Sequence, residues 1–277
     1  MYISVVIPCY NSGQYLDDAL KSVIASHNIN ANDYEIIVVD DGSTDKQTLD
    51  MISEIDIYNC TVVHQENKGP GGARNTGVRL AKGKYVLFLD SDNKIRSNFM
   101  ATAMRILNKT DADIVYGKPA FFGATTKPRF ETGEFAIESM LVTNHIDVCS
   151  MIRKSTFEAI GGFDEDRKLI AFEDWEMWIR AGAAGCKFHF VNEVMFDYRI
   201  TNNSLLDEKN NTNNYEAVVA ILYQKYGKLI LDTYRKIGVG YSVYRRDEKR
   251  PFRAFFKNCY YNYFYRFVNI HTLYKRH

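Results

Sequence analysis

The chain has 277 residues, and its 35 Lys plus Arg against 34 Asp plus Glu leave a formal charge of +1. Near-neutrality argues against a protein that coats polyanions, and 46% apolar with 25% charged residues argues against wholesale disorder, collagen-like repeats and a polytopic membrane protein. Five cysteines (Cys9, Cys60, Cys149, Cys186, Cys259), odd in number and without a C-x-x-C pair, read as reduced thiols rather than a disulfide framework or zinc site.

The first apolar run, from Tyr2, is stopped by Pro8 before a signal-peptide core is complete, and no basic leader precedes it, so a cytoplasmic protein is expected. Residues 1–205 then alternate β-rich runs with helical periods. Tyr2–Pro8 and Tyr34–Asp40 read as strands, with Leu16, Leu20, Val23 and Ile24 at helical spacing between them after an Asn11-Ser12-Gly13 start signal. Cys60–His64 reads as a third strand, leading through a glycine-rich loop to a helix near Ala73–Ala81, and Lys84–Leu89 as a fourth, ending at Asp90. This alternation predicts an α/β fold with a mostly parallel sheet flanked by helices and a ligand crevice beyond the carboxyl ends of the strands.

The polar residues at those ends are candidates for function. Strand one ends in Pro8-Cys9-Tyr10-Asn11, strand two in Asp40-Asp41-Gly42-Ser43-Thr44-Asp45 and strand four in Asp90-Ser91-Asp92-Asn93. The second set also reads as a turn with a helix N-cap, and the third as a loop opening a helix at Ser97. Two carboxylates one residue apart after an apolar strand suit a hard divalent cation, which prefers oxygen ligands and is often shared with substrate phosphates.

The loop from Asn67 to Asn75 contains Gly69-x-Gly71, but Arg74 stands where a dinucleotide fingerprint needs its third glycine, and no P-loop run occurs. A flexible glycine loop feeding a helix, with Arg74 in its first turn, suits a diphosphate, because helix-start amides and a guanidinium both favour phosphate oxygens. Farther on, Glu173-Asp174 opens a segment of helical character through Trp175, Trp178 and Ile179. Carboxylates at a helix start are favoured by the dipole in any case, and one beside the crevice can act as a general base.

From Ile221 onward thirteen bases face three acids, a net +10, while residues 1–220 carry −9. The basic segment is rich in aromatics, notably Tyr260-Tyr261-Asn262-Tyr263-Phe264-Tyr265, a composition that suits an anionic membrane surface and equally a helical appendage with a solvated basic face. The aromatic run from Phe252 to Ile270 is broken by Arg253, Lys257 and Arg266, so no membrane span is expected.

Taken in order, Ile3 to Asn11, Glu35 to Asp45, Asn67 to Gly77, Gly83 to Asn93, the Gly161-Gly162-Phe163-Asp164 turn and Glu173-Asp174 followed by Tyr198-Arg199 resemble the family 2 glycosyltransferases with the GT-A fold. The resemblance covers residues 1–205 and leaves 206–277 as a C-terminal helical extension. It implies that Pro8, Asn11 and Asp41 contact the nucleotide base, that Arg74 faces the diphosphate, and that Asp90 and Asp92 hold Mn²⁺ or Mg²⁺, Asp92 more directly. It further implies Asp174 as the base of an inverting displacement, with Glu173 supporting acceptor binding or base orientation. Many relatives place a His after the Tyr-Arg pair; here Asn202, Asn203 and Ser204 follow, so the metal is expected to bind mainly through Asp92 and the donor phosphates.

The expected activity is transfer from a nucleotide-sugar donor, expected to be a UDP-sugar, to a glycan or lipid-linked acceptor in cell-surface polysaccharide or glycoconjugate synthesis. Sugar choice would lie in the middle loops around 118–145. Two alternatives stay open: a sugar nucleotidyltransferase, and a GT-A-fold protein that binds glycans or a partner and catalyses nothing. A basic tail also leaves oligomerisation and, less favoured, nucleic-acid binding open.

Overall fold

The computed structural model describes residues 2–55, 60–201 and 214–248. The first half is built as the alternation predicts: β1 (Ile3–Cys9), α1 (Gly13–Ile24), β2 (Tyr34–Asp40), α2 (Lys46–Ser53), β3 (Thr61–His64), α3 (Gly69–Leu80) and β4 (Tyr85–Phe88). Next come β5 (Lys94–Ile95), α4 (Phe99–Lys109), β6 (Ile114–Gly123), α5 (Ile137–Met140), β7 (Met151–Arg153) and α6 (Lys154–Ala159). The last elements are α7 (Glu173–Ala183), β8 (Phe188–Ile200) and α8 (Asn214–Glu248).

One sheet carries all eight strands in the order β3-β2-β1-β4-β7-β6-β8-β5. β1 is buried along its whole length and pairs in parallel with β2 and β4, which explains why it is apolar except for Ser4, whose hydroxyl donates to Glu35 Oε1 at 2.6 Å. In the second half β6 and β8 pair in parallel, while β7 runs antiparallel to both β4 and β6, and β5 antiparallel to β8. The sheet is therefore mixed. On one side of the first half, Leu16, Ala19, Leu20 and Val23 of α1 and Phe99, Met100, Ala103 and Leu107 of α4 join the core at helical spacing.

The order β3-β2-β1-β4 places the chain reversal between β1 and β4, so the loops after these strands flank a crevice at their shared carboxyl edge. Helix α3 packs tightly under that edge. A Cβ on Gly77 would lie 2.3 Å from Val6 Cγ1, so a glycine is what lets this helix approach β1.

The glycine-rich segment is not the flexible loop expected. α3 begins at Gly69, earlier than Ala73, because Pro70 fits the first helical positions and the Asp41 carboxylate accepts the amides of Lys68 and Gly69 at 2.8 Å each. Arg74 accordingly lies beyond the first turn.

The chain divides into two compact units, residues 1–224 and 225–277. The first runs past residue 205 to include the first turns of α8, where Val218 and Leu222 are buried. Of the second unit, residues 225–248 are described, as the remainder of α8. The aromatic run at 260–265 and the segment 202–204 lie outside the described residues. Among the described residues no helix is long and apolar enough to cross a membrane.

Candidate active site

A cleft of about 1540 Å³ opens at the carboxyl edge of the first strands, and Pro8, Asn11, Asp41, Arg74, Asp90, Asp92, Glu173 and Asp174 all line it. Every site residue expected from the sequence thus comes to one place, although they span β1 to α7.

One end of the cleft is organised by hydrogen bonds between the loops after β1 and β2. Asn11, with φ of 49°, accepts from the amides of Thr44 (2.8 Å) and Asp45 (3.2 Å) through its side-chain oxygen. Asp45 is the N-cap of α2, accepting from the Thr48 amide at 2.9 Å, as the turn-and-cap reading had it. Asp41 is buried and also accepts from Gln65 Nε2 at 2.7 Å, so its carboxylate joins the end of β2 to the start of α3.

At the centre, Arg74 is 4% exposed and bridges two carboxylates: its guanidinium donates to Asp90 Oδ1 and to Glu173 Oε1, each at 2.6 Å. The Phe163 ring lies 5.3 Å from the guanidinium carbon. The Asn75 side chain fixes that residue by donating to the Phe163 carbonyl and accepting its amide, each at 2.9 Å. Burial works against the charge on Arg74, but Asp90 and Glu173 outweigh it and raise its proton affinity. Arg74 Nε and Glu173 Oε2 are buried without a hydrogen-bond partner.

The loop after β4 is held from both flanks. Ser91 Oγ pairs with Ser12 Oγ at 2.7 Å, while the Arg199 amide donates to Asn93 Oδ1 and Arg199 Nε to the Asp92 carbonyl, each at 2.8 Å. Arg199 itself lies between the rings of Tyr15 and Phe122, at 4.6 and 4.4 Å. Burial, then the neighbouring charge of Asp90, pushes the Asp92 carboxyl up to about 7. Asp90 and Asp92 are the oxygen donors a hard cation takes, but no group of three or more His, Cys, Asp or Glu suited to a metal occurs among the described residues. This donor set fits a cation that completes its shell with substrate phosphates and water.

At the start of α7, in the same cleft, Asp174 accepts from Asn144 Nδ2 at 3.0 Å and from the Trp175 amide at 2.7 Å. Burial, then the charge of Glu173, pushes its carboxyl up to about 7. The turn before it is strained, since Ala171 has φ of 75° without being glycine.

The structure adds a residue that the motifs did not reveal. Asp147 lines the same cleft, accepts from the Cys149 amide at 2.8 Å, and is held well above the usual carboxylate range by burial and then by the charge of Asp90. The only signal in sequence is a lone carboxylate in the apolar run Ile146-Asp147-Val148-Cys149.

Replacing Arg74 with Met leaves Asp90 and Glu173 without their cation. By the cost of breaking a buried ion pair, Arg74→Met is expected to lower unfolding stability by roughly 3–5 kcal/mol. Urea denaturation measures this; a loss below about 1 kcal/mol, the range of exposed pairs, would mean the bridge is screened by water.

The glycosyl transferase family 2 profile matches residues 4–173. The chain is 28% identical over 251 residues to glycosyltransferase GlyG of Streptococcus pneumoniae, covering 83% of this chain and 81% of GlyG. Among solved structures it resembles Staphylococcus aureus TarS 1–349 in complex with UDP-GlcNAc, with a TM-score of 0.66 at 22% identity over 80% of this chain and 66% of that one. It also resembles the mannosyltransferase PcManGT of Pyrobaculum calidifontis in complex with GDP-Man and Mn²⁺, with a TM-score of 0.57 at 18% identity over 75% of this chain and 59% of that one. At these identities the two structures establish the fold, the GT-A arrangement of a mixed sheet flanked by helices. The profile match, which spans more than half of the sequence, shows that the chain belongs to glycosyl transferase family 2.

Proposed function

We propose that this protein is a metal-dependent, inverting glycosyltransferase that moves a sugar from a UDP-linked donor to a hydroxyl of a glycan or lipid-linked acceptor in the synthesis of a cell-surface polysaccharide or glycoconjugate. The observation that carries the reading is the pairing of a carboxylate of raised pKa, Asp174, with a second acidic site, Asp90 and Asp92, across one cleft and joined through Arg74 and Glu173. UDP is favoured over other nucleotides by the TarS complex with UDP-GlcNAc, and a divalent ion by the Mn²⁺ of PcManGT.

The roles follow from position. Pro8, Asn11 and Asp41 form the nucleotide end of the cleft, where Asp41 retains acceptor capacity for a base N–H beside the amides it already accepts. Asp90 and Asp92 would hold Mn²⁺ or Mg²⁺, which when bound would neutralise charge growing on the leaving diphosphate. Arg74 sets Asp90 on one side and Glu173 on the other, and its guanidinium puts positive charge at the centre of the cleft, where it would favour the donor diphosphate. Asp174, oriented by Asn144 and its own helix-start amide contact, removes the proton of the attacking hydroxyl. Glu173, next to that base in sequence, supports it by holding the Arg74 guanidinium and by opening the same helix.

Asp174→Asn is expected to lower kcat by at least about 100-fold, in line with the loss of a general base, while UDP affinity stays within about twofold. A base must be ionised to act. Because the folded-state pKa of Asp174 is raised to about 7, kcat/KM of the wild type is expected to rise as pH increases through 7 and then level. A folded Asp174→Asn enzyme with wild-type transfer would show that the base lies elsewhere.

The +10 charge from Ile221 onward supports a second part of the reading, peripheral attachment to the inner face of an anionic membrane from the cytoplasm. The full chain is expected to co-sediment with phosphatidylserine vesicles and a chain ending at Gln224 to remain in solution; equal sedimentation would assign the tail another task, such as oligomerisation.

A further inference from the structure

On the rim beside Asp174, three aromatic residues form a stepped platform. Tyr215 lines the cleft and is 42% exposed. Its ring runs nearly parallel to that of Trp175, 16° apart with centroids 6.2 Å apart, and Phe172 packs against both, at 6.0 and 6.4 Å. Trp175 is 2% exposed, and its indole N–H donates to the Met140 carbonyl at 2.6 Å. The exposed ring is thus backed by two buried ones, one of them pinned by a hydrogen bond.

We propose that Tyr215 is the acceptor subsite: a surface on which a pyranose ring of the acceptor saccharide stacks, next to Asp174. This rests on the glycosyl-transfer reading above. A pyranose has one face of polarised C–H groups and a rim of hydroxyls. The C–H face meets the negative face of an aromatic ring favourably, while the rim seeks polar neighbours, which Asn144 and Thr143 supply in the same cleft. Trp175 follows Asp174 directly and donates its amide to that carboxylate, so one turn of α7 sets both the base and the support of the stacking ring. The nucleotide end has its own exposed aromatic, Tyr10, 50% exposed beside Asn11, which leaves Tyr215 for the other substrate. Because the platform is packed in advance, little side-chain order is lost on binding.

Saturation-transfer NMR on the full chain with UDP and Mn²⁺ tests this, using cellobiose, N,N′-diacetylchitobiose and lactose as cyclic probes and ribitol 5-phosphate as an open-chain control. At least one disaccharide is expected to receive saturation at its ring C–H protons. Tyr215→Ala and Tyr215→Leu are each expected to weaken that binding roughly tenfold, and Tyr215→Phe to keep it within about twofold, since a stacked ring is worth about one decade. UDP affinity by calorimetry is expected to stay within about twofold in all three. Tyr215→Leu keeps an apolar side chain over Trp175 and so separates loss of the aromatic face from loss of packing. Disaccharide binding unchanged in Tyr215→Leu overturns the subsite, as does a fall in UDP affinity without a fall in saccharide affinity, or binding of ribitol 5-phosphate alone. Wild-type protein that binds UDP but no disaccharide refutes the subsite only, whereas wild-type protein that binds no UDP refutes the donor site as well.

Discussion

The site depends on one buried cation. Arg74 reaches from α3 to the Asp90 carboxylate just after β4 on one side and to the Glu173 carboxylate that opens α7 on the other. Without a guanidinium there, Asp90 and the nearly buried Glu173 would face each other with no counter-charge, and the two halves of the cleft would repel. Arginine suits the task better than lysine, because a planar fork can donate to two carboxylates in different directions at once and remains charged when buried. The close approach of α3 to β1 at Gly77 and the Asp41 carboxylate at the start of α3 are what bring that fork to the right depth.

The first half of this arrangement was legible in the sequence because it is local. Strands that end in polar residues announce a ligand edge, and the β-branched runs of β1 and β2 leave little choice of element. The role of Asp45 as a cap and the clustering of Asp90, Asp92, Glu173 and Asp174 followed from such signals and from the order of motifs. The early start of α3 did not, since glycines read as a loop unless one knows that Pro70 and the distant Asp41 carboxylate secure the first turn. Nor did the antiparallel β7, a three-residue strand whose partner is chosen by the edge β4 leaves open.

Residues that act across long sequence separations were harder to see. Asp147, Asn144 and Tyr215 belong to no spaced motif; each gains meaning only when the fold brings it into the cleft, Asp147 near Asp90, Asn144 onto Asp174 and Tyr215 onto Trp175. Arg199 stood in the sequence beside a tyrosine as a recognisable pair. Its work of holding the Asp92 carbonyl and the Asn93 side chain from between two aromatic rings is visible only in three dimensions. The arrangement divides in space: an end at Asn11 and Asp41 fixed by loop-to-loop hydrogen bonds, a charged centre balanced by Arg74, and aromatic rings beside Asp174.

The central claim is that the cleft takes a nucleoside diphosphate together with a divalent ion at Asp92. Thermal unfolding of the purified protein with UDP, GDP, CDP and dTDP, each with and without Mn²⁺ and alongside Asp92→Ala, addresses it most directly. The account predicts stabilisation by UDP that needs Mn²⁺ and disappears in Asp92→Ala, with an increment of about 2.7 kcal/mol when ligand is at roughly 100 times its dissociation constant. Equal stabilisation with and without metal, or none with any of the four nucleotides, would contradict it.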